Sequence, residues 1–249
     1  KQIDYETTTS ANSIKEKVQD GYKFYINVDG NASNQNFYRW KLDEIWEVYT
    51  PLPEINNYFN GVKYIPTTFP YVCWNYSQID EIFVGSSEEF QLNKTIKFPL
   101  NFTSVETNRL GIKYCLIVKQ FALSKTSYLF WKNQAGNIQQ QGSLYTKQPF
   151  QVIGNIRCIE NPENVVLGMF EASEVSTKRI YVNRHPKYEH YSDGCQKKDI
   201  KTLSRDQQKG PYWAFIDIAG VSSYAVFDET CANCAATGAS PVKPTNWGE

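Results

Sequence analysis

A mainly β fold is what this chain of 249 residues predicts, an antiparallel, sandwich-like domain with one packed α-helix. Three observations predict it. The aromatic residues, 17 Tyr, 14 Phe and 6 Trp against a single Met, are of the kind that suits pleated, half-buried surfaces. Two long runs alternate apolar and polar positions with period two. Clusters of Gly, Pro and Asn then separate the runs, as antiparallel connections require. A chain of this length has enough residues to bury a sizeable core.

The elements follow in order. Residues 1–19 are polar and Thr-rich and read as a linker or the tail of a preceding domain, leaving 20–249 as a single β-rich domain with a cysteine-stapled tail. Tyr22, Phe24, Ile26 and Val28 alternate with Lys23, Tyr25, Asn27 and Asp29, a half-buried strand closed by Asp29-Gly30. From Phe37 to Tyr49, Tyr38, Trp40, Leu42, Trp46 and Val48 share one face, and Arg39, Lys41, Asp43 and Glu47 lie on the other. Glu44 interrupts the apolar face. Further strands are expected at 71–76, 81–85, 112–121, 165–170, 178–182, 213–218 and 224–227. One segment has helical signals: Ser124 as N-cap, a Leu123–Tyr128 staple, and Trp131 and Ala135 in helical spacing until Gly136-Asn137. This predicts a helix over 124–135 that packs Tyr128 and Trp131 on a sheet.

Charge excludes one class of function. Lys plus Arg and Asp plus Glu both number 26, so no long-range field draws the chain to nucleic acid or to an anionic membrane. No apolar run is long enough to span a bilayer. The start is not a signal peptide, so export implies a leader already removed and a longer precursor.

The cysteines Cys73, Cys115, Cys158, Cys195, Cys231 and Cys234 are even in number, as disulfides in an oxidising compartment require. At least two bridges are expected, with Cys195 joined to Cys231 or Cys234 to fasten the tail. Two rivals stand beside this: zinc held by Cys195, Cys231 and Cys234 with His185 or His190, and free core thiols. Cys231-x-x-Cys234 also has redox spacing, although a loop-like stretch follows it.

Catalytic signals are few. Glu44, between Leu42 and Trp46, is a carboxylate whose pKa desolvation would raise, suiting general acid or base work. The blander reading is a buried Glu satisfied by Arg39, Arg157 or Arg179. Asp43, Glu47, Asp80 and Glu81 offer the pairs a glycosidase needs, but acidic residues in strands and turns are commonly solvated. His185, His190 and Asp193 offer a metal or proton-transfer site in a loop-like stretch. Nucleotide loops, a G-x-S-x-G elbow and an H-E-x-x-H helix are all absent from the sequence. Trp40, Trp46 and Trp131 read as core, and Tyr25 and Tyr49 as exposed contacts of a glycan-binding kind. The sequons at Asn31, Asn75, Asn93 and Asn101 are about as many as composition supplies by chance.

A set of runs in fixed order carries a resemblance. They are Phe37-Tyr-Arg-Trp40 with Glu44-Ile-Trp46, Cys73-Trp74, Leu123-Ser with Tyr128 and Trp131-Lys-Asn133, and Gly142-Ser-Leu. Then come Gly154-Asn-Ile156, Asn161-Pro with Val166-Leu-Gly168 and Phe170, Ser176-Thr-Lys-Arg-Ile180, and Cys231-x-x-Cys234 through Trp247. Over roughly residues 20 to 249, this order resembles the domain-of-unknown-function 4249 family, outer-membrane-associated lipoproteins of Bacteroidota. The resemblance implies a non-enzymatic accessory protein of the cell surface, without cofactor. It implies association with a SusC-like TonB-dependent outer-membrane transporter, a role in nutrient capture or uptake, and a lipid anchor upstream of this region. Cys115 and Cys158, which the resemblance does not account for, are expected as partners in one bridge. The alternatives are a stand-alone glycan- or peptide-binding β module and a carboxylate-dependent hydrolase.

Overall fold

The computed structural model describes residues 3–12, 17–29, 36–87, 95–140, 151–188, 194–217 and 223–248. Asn31, Asn93, Gly142-Ser-Leu, His190 and Asp193, each singled out above, lie outside them. The chain is mainly β, with antiparallel pairing in every register resolved and, among the described residues, one α-helix. It divides into two compact units, one of residues 1–44, 77–102 and 115–180, the other of 45–76, 103–114 and 181–249.

The three-stranded sheet has the order β1-β2-β7, from β1 (Ile3–Asn12), β2 (Lys17–Asp29) and β7 (Thr95–Ser104). Residues 3–12, expected as part of a linker, instead pair along their length with β2, from Ile3 opposite Ile26 to Asn12 opposite Lys17. Their Thr-rich composition has strand propensity, which outweighs the polarity that reads as linker. The four-stranded sheet has the order β6-β3-β8-β9, from β3 (Phe37–Tyr49), β6 (Val72–Ser86), β8 (Lys113–Leu123) and β9 (Val175–Asn183). The boundary between the units falls inside its strands, for example at Glu44 and Ile45 of β3.

In the first unit both faces of β3 are covered. Trp40 and Leu42 are buried on one face, where the Trp40 ring centre lies 4.6 Å from that of Phe98 in β7. Phe37 and Arg39, on the opposite face, meet helix α1 (Lys125–Gln140): Phe37 stacks on Tyr128 at 4.9 Å, and the Arg39 guanidinium lies 3.5 Å from the Trp131 ring centre. Sheet, sheet and helix thus form three layers. Arg39 and Asp43 are therefore buried, not on a solvated face, and Asp43 accepts an ion pair from Lys119 at 2.7 Å. A strand covered on both sides has no polar face to show, so its two-residue alternation misassigns one side.

The helix begins as expected, with Ser124 Oγ accepting from the Ser127 amide at 3.1 Å. It does not stop at Gly136-Asn137 but runs to Gln140. A single glycine costs about 1 kcal/mol relative to alanine, too little to end a packed helix by itself. The strand expected at 165–170 is absent. Instead residues 153–170 make a flap tied at its base by an isolated bridge between Ile153 and Leu167.

The second unit holds a five-stranded sheet, β10-β12-β11-β4-β5, made of β4 (Asn57–Phe59), β5 (Tyr64–Pro66), β10 (Lys198–Asp199), β11 (Tyr212–Phe215) and β12 (Tyr224–Val226). Its core includes Leu52, Ile55 and Val226 beside Cys231, and Tyr212, Ala214 and Ala225 under Phe59. Disulfides join Cys195 to Cys231 and Cys73 to Cys234. Zinc ligation by Cys195, Cys231 and Cys234 is ruled out because the bridges consume those thiols, and the C-x-x-C pair is split between two bridges. Cys115 and Cys158 are not joined to each other, contrary to expectation. Cys115 is buried among β8 neighbours, whereas Cys158 sits in the flap.

Candidate functional site

A groove of roughly 1110 Å³ lies wholly within the second unit, built from segments far apart in sequence. The end of β3 supplies Trp46, Glu47 and Tyr49, β6 supplies Asn75, and residues 106–112 and 184–188, which touch each other, complete much of the lining. Its size is that of a site for a small molecule or a short oligomer.

Each wall is positioned by contacts inside the unit. Arg109 sets its guanidinium 4.8 Å from the Trp46 ring centre, so Trp46 is half-buried at the groove and not a core residue as its face implied. Glu47 accepts from Trp247 Nε1 at 2.9 Å. It also takes the Tyr49 hydroxyl hydrogen, which holds that phenol above its ordinary range, with burial adding to the shift. Tyr49 is 55% exposed, as expected of it. In the lining Arg184 Nη2 donates to the Tyr188 carbonyl at 3.1 Å and lies over the Tyr188 ring. That ring rests on Gly111, where a Cβ would come within 2.9 Å of its terminal ring carbon.

The tail supports this site. Trp247 is buried, its ring 5.8 Å from that of Tyr181 and approached by Lys113, while Trp74 in β6 exchanges both backbone hydrogen bonds with Ser240. The Cys73–Cys234 and Cys195–Cys231 bridges border the groove, which Cys195 and Cys234 help to line.

The other carboxylates and histidines singled out from sequence do not gather here. Glu44 is buried in the first unit, and Arg39, one of its expected partners, pairs with Glu171 at 3.1 Å. His185 is buried, not exposed: its amide donates to the Leu110 carbonyl, and its Nδ1 accepts from the Lys187 amide at 3.1 Å. Among the described residues no cluster of His, Cys, Asp and Glu could hold a metal ion. Of the residues noted from sequence, Trp46, Glu47, Tyr49, Cys195 and Cys234 are brought together, with Asn75 noted there only as a sequon; Arg184 and Tyr188 were missed. No local pattern marks those two, because the fold alone makes them neighbours of the rest.

Several runs that carried the resemblance converge in the first unit. Glu171 accepts from Arg39 and from Trp131 Nε1, both at 3.1 Å, and Arg39 lies over the Trp131 face. Next to them Asn155 clamps Phe170 through two hydrogen bonds of 2.8 Å, and Gly154 lies so close to the Gly168 carbonyl that a Cβ would stand 1.6 Å from it. A smaller hollow of roughly 360 Å³ opens here, but Ser124, Ser127, Asn155 and Glu171 already satisfy one another or their neighbours. These residues hold a shape.

The comparisons with known proteins agree with that convergence. The family model "Domain of unknown function (DUF4249)" matches residues 1–179, so the resemblance extends to the first strand, and the Cys231-to-Trp247 tail lies outside the matched span. No curated protein and no solved structure matches the chain. By the match over most of its length, with the Arg39, Trp131, Gly154 and Phe170 motifs meeting in one place, the chain belongs to this family of domains of unknown function.

Proposed function

We propose that this protein is a non-enzymatic binding domain of the cell surface, an accessory to a SusC-like TonB-dependent outer-membrane transporter, and that the groove of its second unit receives the cargo. The observation that carries the binding reading is the groove itself, where Trp46, Tyr49 and Tyr188 stand beside Asn75 and Arg184. Aromatic faces and a few placed polar groups are what a recognition site needs. Glu47 is tied by Trp247 and Tyr49, which leaves it poorly placed to serve as an acid or base. The groove mixes charges of both signs and amides, which favours a glycan or peptide over a highly charged ligand. Family membership supports the surface location and the transporter partner through the resemblance, with a lipid anchor preceding the domain.

The test is to isolate the full-length protein from native membranes in mild detergent and to screen it against glycan and peptide arrays. Co-purification with a large barrel protein, together with array binding that Trp46→Ala weakens, is the expected result. A soluble monomer that turns over a substrate, with no barrel partner, overturns the reading. Retention on a glycan or peptide without any barrel supports instead a stand-alone binding module, the second reading that the groove favours.

A further inference from the structure

The flap of residues 153–170 is built rigidly and then left apolar on its outside. Its base is fixed by the Ile153–Leu167 bridge, by the close approach of Gly154 to Gly168, and by the two Asn155–Phe170 hydrogen bonds. Its turn is set by Asn161, whose side chain accepts from the Glu163 amide and whose carbonyl accepts from the Asn164 amide. On this frame Ile153, Ile159, Val165, Leu167 and Phe170 are all exposed, Ile159 at 96% and Phe170 at 76%. Single exposed apolar residues are ordinary, but a group of them on one ordered hairpin marks an interaction surface. Loops that serve only to connect elements have no need of such a clamp.

Charge narrows what covers it. The exposed ionisable side chains of the flap itself are Arg157 against Glu160 and Glu163, an excess of acid. An anionic lipid surface would repel that set, and a second copy docked face to face would oppose like charges. An apolar recess rimmed by Lys or Arg on another protein satisfies both the side chains and the sign. We propose that the flap is the docking surface for a protein partner of this kind, with Ile159 and Phe170 as its anchors and Glu160 and Glu163 as its rim. The inference rests on the proposed accessory role only in taking the partner to be a component of the same surface complex. It uses a surface in the first unit, whereas the cargo groove belongs to the second.

The experiment places p-benzoyl-phenylalanine at Ile159, at Phe170 or, as a control, at Lys198 in the full-length protein in its native cells, followed by irradiation. The partner that cross-links is purified and titrated with the wild-type protein and with variants. One discrete protein adduct is expected from Ile159 and Phe170 and not from Lys198. Its dissociation constant should rise about tenfold or more in Ile159→Asp, as for an interface anchor. The double change Glu160→Lys, Glu163→Lys should weaken binding at low salt, by a factor that shrinks as salt rises. Because Ile159 is fully outside the core, an unchanged melting curve will show that its variant is folded. Adducts to lipid only, adducts to a second copy only, no adduct at either position, or a dissociation constant unmoved by Ile159→Asp each overturn the proposal. A barrel that co-purifies equally well with Ile159→Asp sinks this inference and leaves the accessory role standing. A flap partner that is not a barrel sinks the transporter assignment and leaves the docking surface standing.

Discussion

The Arg39 guanidinium of the sheet lies over the Trp131 ring of the helix, 3.5 Å from its centre, and Glu171 bonds to both. Burial pulls the guanidinium pKa down from its ordinary value, while the Glu171 charge and hydrogen bond push it back up. Glu171→Ala strands a buried cation and the Trp131 N–H, so it should destabilise the fold by about 3–5 kcal/mol in urea unfolding. Arg39→Lys keeps the charge but loses the broad guanidinium over the Trp131 ring and should also destabilise, by a smaller amount.

Gly154→Ala is expected to cost about 1–3 kcal/mol or more, because its Cβ would collide with the backbone of Gly168 and not with a side chain that can turn away. Asn155→Asp replaces the donor to the Phe170 carbonyl by an acceptor and should cost about 1–3 kcal/mol. Both are measured by thermal or urea denaturation, and both should increase protease cutting within 153–170.

Alkylation of the unfolded, unreduced chain should label two cysteines, Cys115 and Cys158. In the folded state Cys158 should react and Cys115 should not, since Cys115 has no exposed surface. Breaking Cys195–Cys231, at a separation of 36 residues, should cost about 4 kcal/mol in the loop-entropy model, and breaking Cys73–Cys234, at 161, about 5 kcal/mol. Peptide mapping without reductant checks the pairing, and unfolding of the Cys→Ser variants checks the magnitudes.

Asp228 caps the short turn of Glu229–Cys231. The Thr230 hydroxyl and then the Thr230 amide donate to its carboxylate and hold its pKa below the ordinary value, against a small opposing effect of burial. The stabilisation is therefore complete above the unfolded-state pKa and is lost as pH falls through the folded one. Exposure and screening limit it to no more than about 1 kcal/mol. Asp228→Asn keeps an acceptor oxygen but does not titrate, so the gap in unfolding midpoint between wild type and variant should shrink between pH 6 and about pH 3.

Gly111→Val should push the Tyr188 ring away from its seat and alter the groove without unfolding the chain, since Gly111 has an ordinary backbone conformation with φ −75°. Any glycan or peptide found to bind should bind at least about tenfold more weakly. Array binding and circular dichroism of the same sample separate loss of ligand from loss of fold.

Much of this fold could be read from the chain, and the misses have identifiable causes. The bounds of β3, 37–49, and the Ser124 cap were legible because alternation and capping are local. β7 alternates Phe98, Leu100 and Phe102, yet Pro99 speaks against a strand; the sheet tolerates it because β7 is an edge, where one N–H has no ladder partner to lose. Val165–Phe170 has strand composition, but the left-handed Gly168 (φ 130°) and the side-chain clamp of Asn155 take it out of a ladder. Of the groove only Tyr49 was legible as an exposed contact, for Trp46 reads as core and Glu47 as a solvated carboxylate, and most of the remaining lining comes from residues 75, 106–112, 184–188, 195 and 230–237, whose meeting depends on the whole topology.

The two bridges of the second unit share a feature of order. Cys73 and Cys195 both find their partners in Cys231-Ala-Asn-Cys234, three residues apart. As the chain emerges from the ribosome or a translocation channel, neither native bridge can close until this short stretch is out. Before then the exposed thiols present are Cys73, Cys115, Cys158 and Cys195, and every pair among them is wrong. An oxidant that acts during emergence would trap such pairs, so a cell making this protein must either delay oxidation or supply an isomerase that undoes the early pairs.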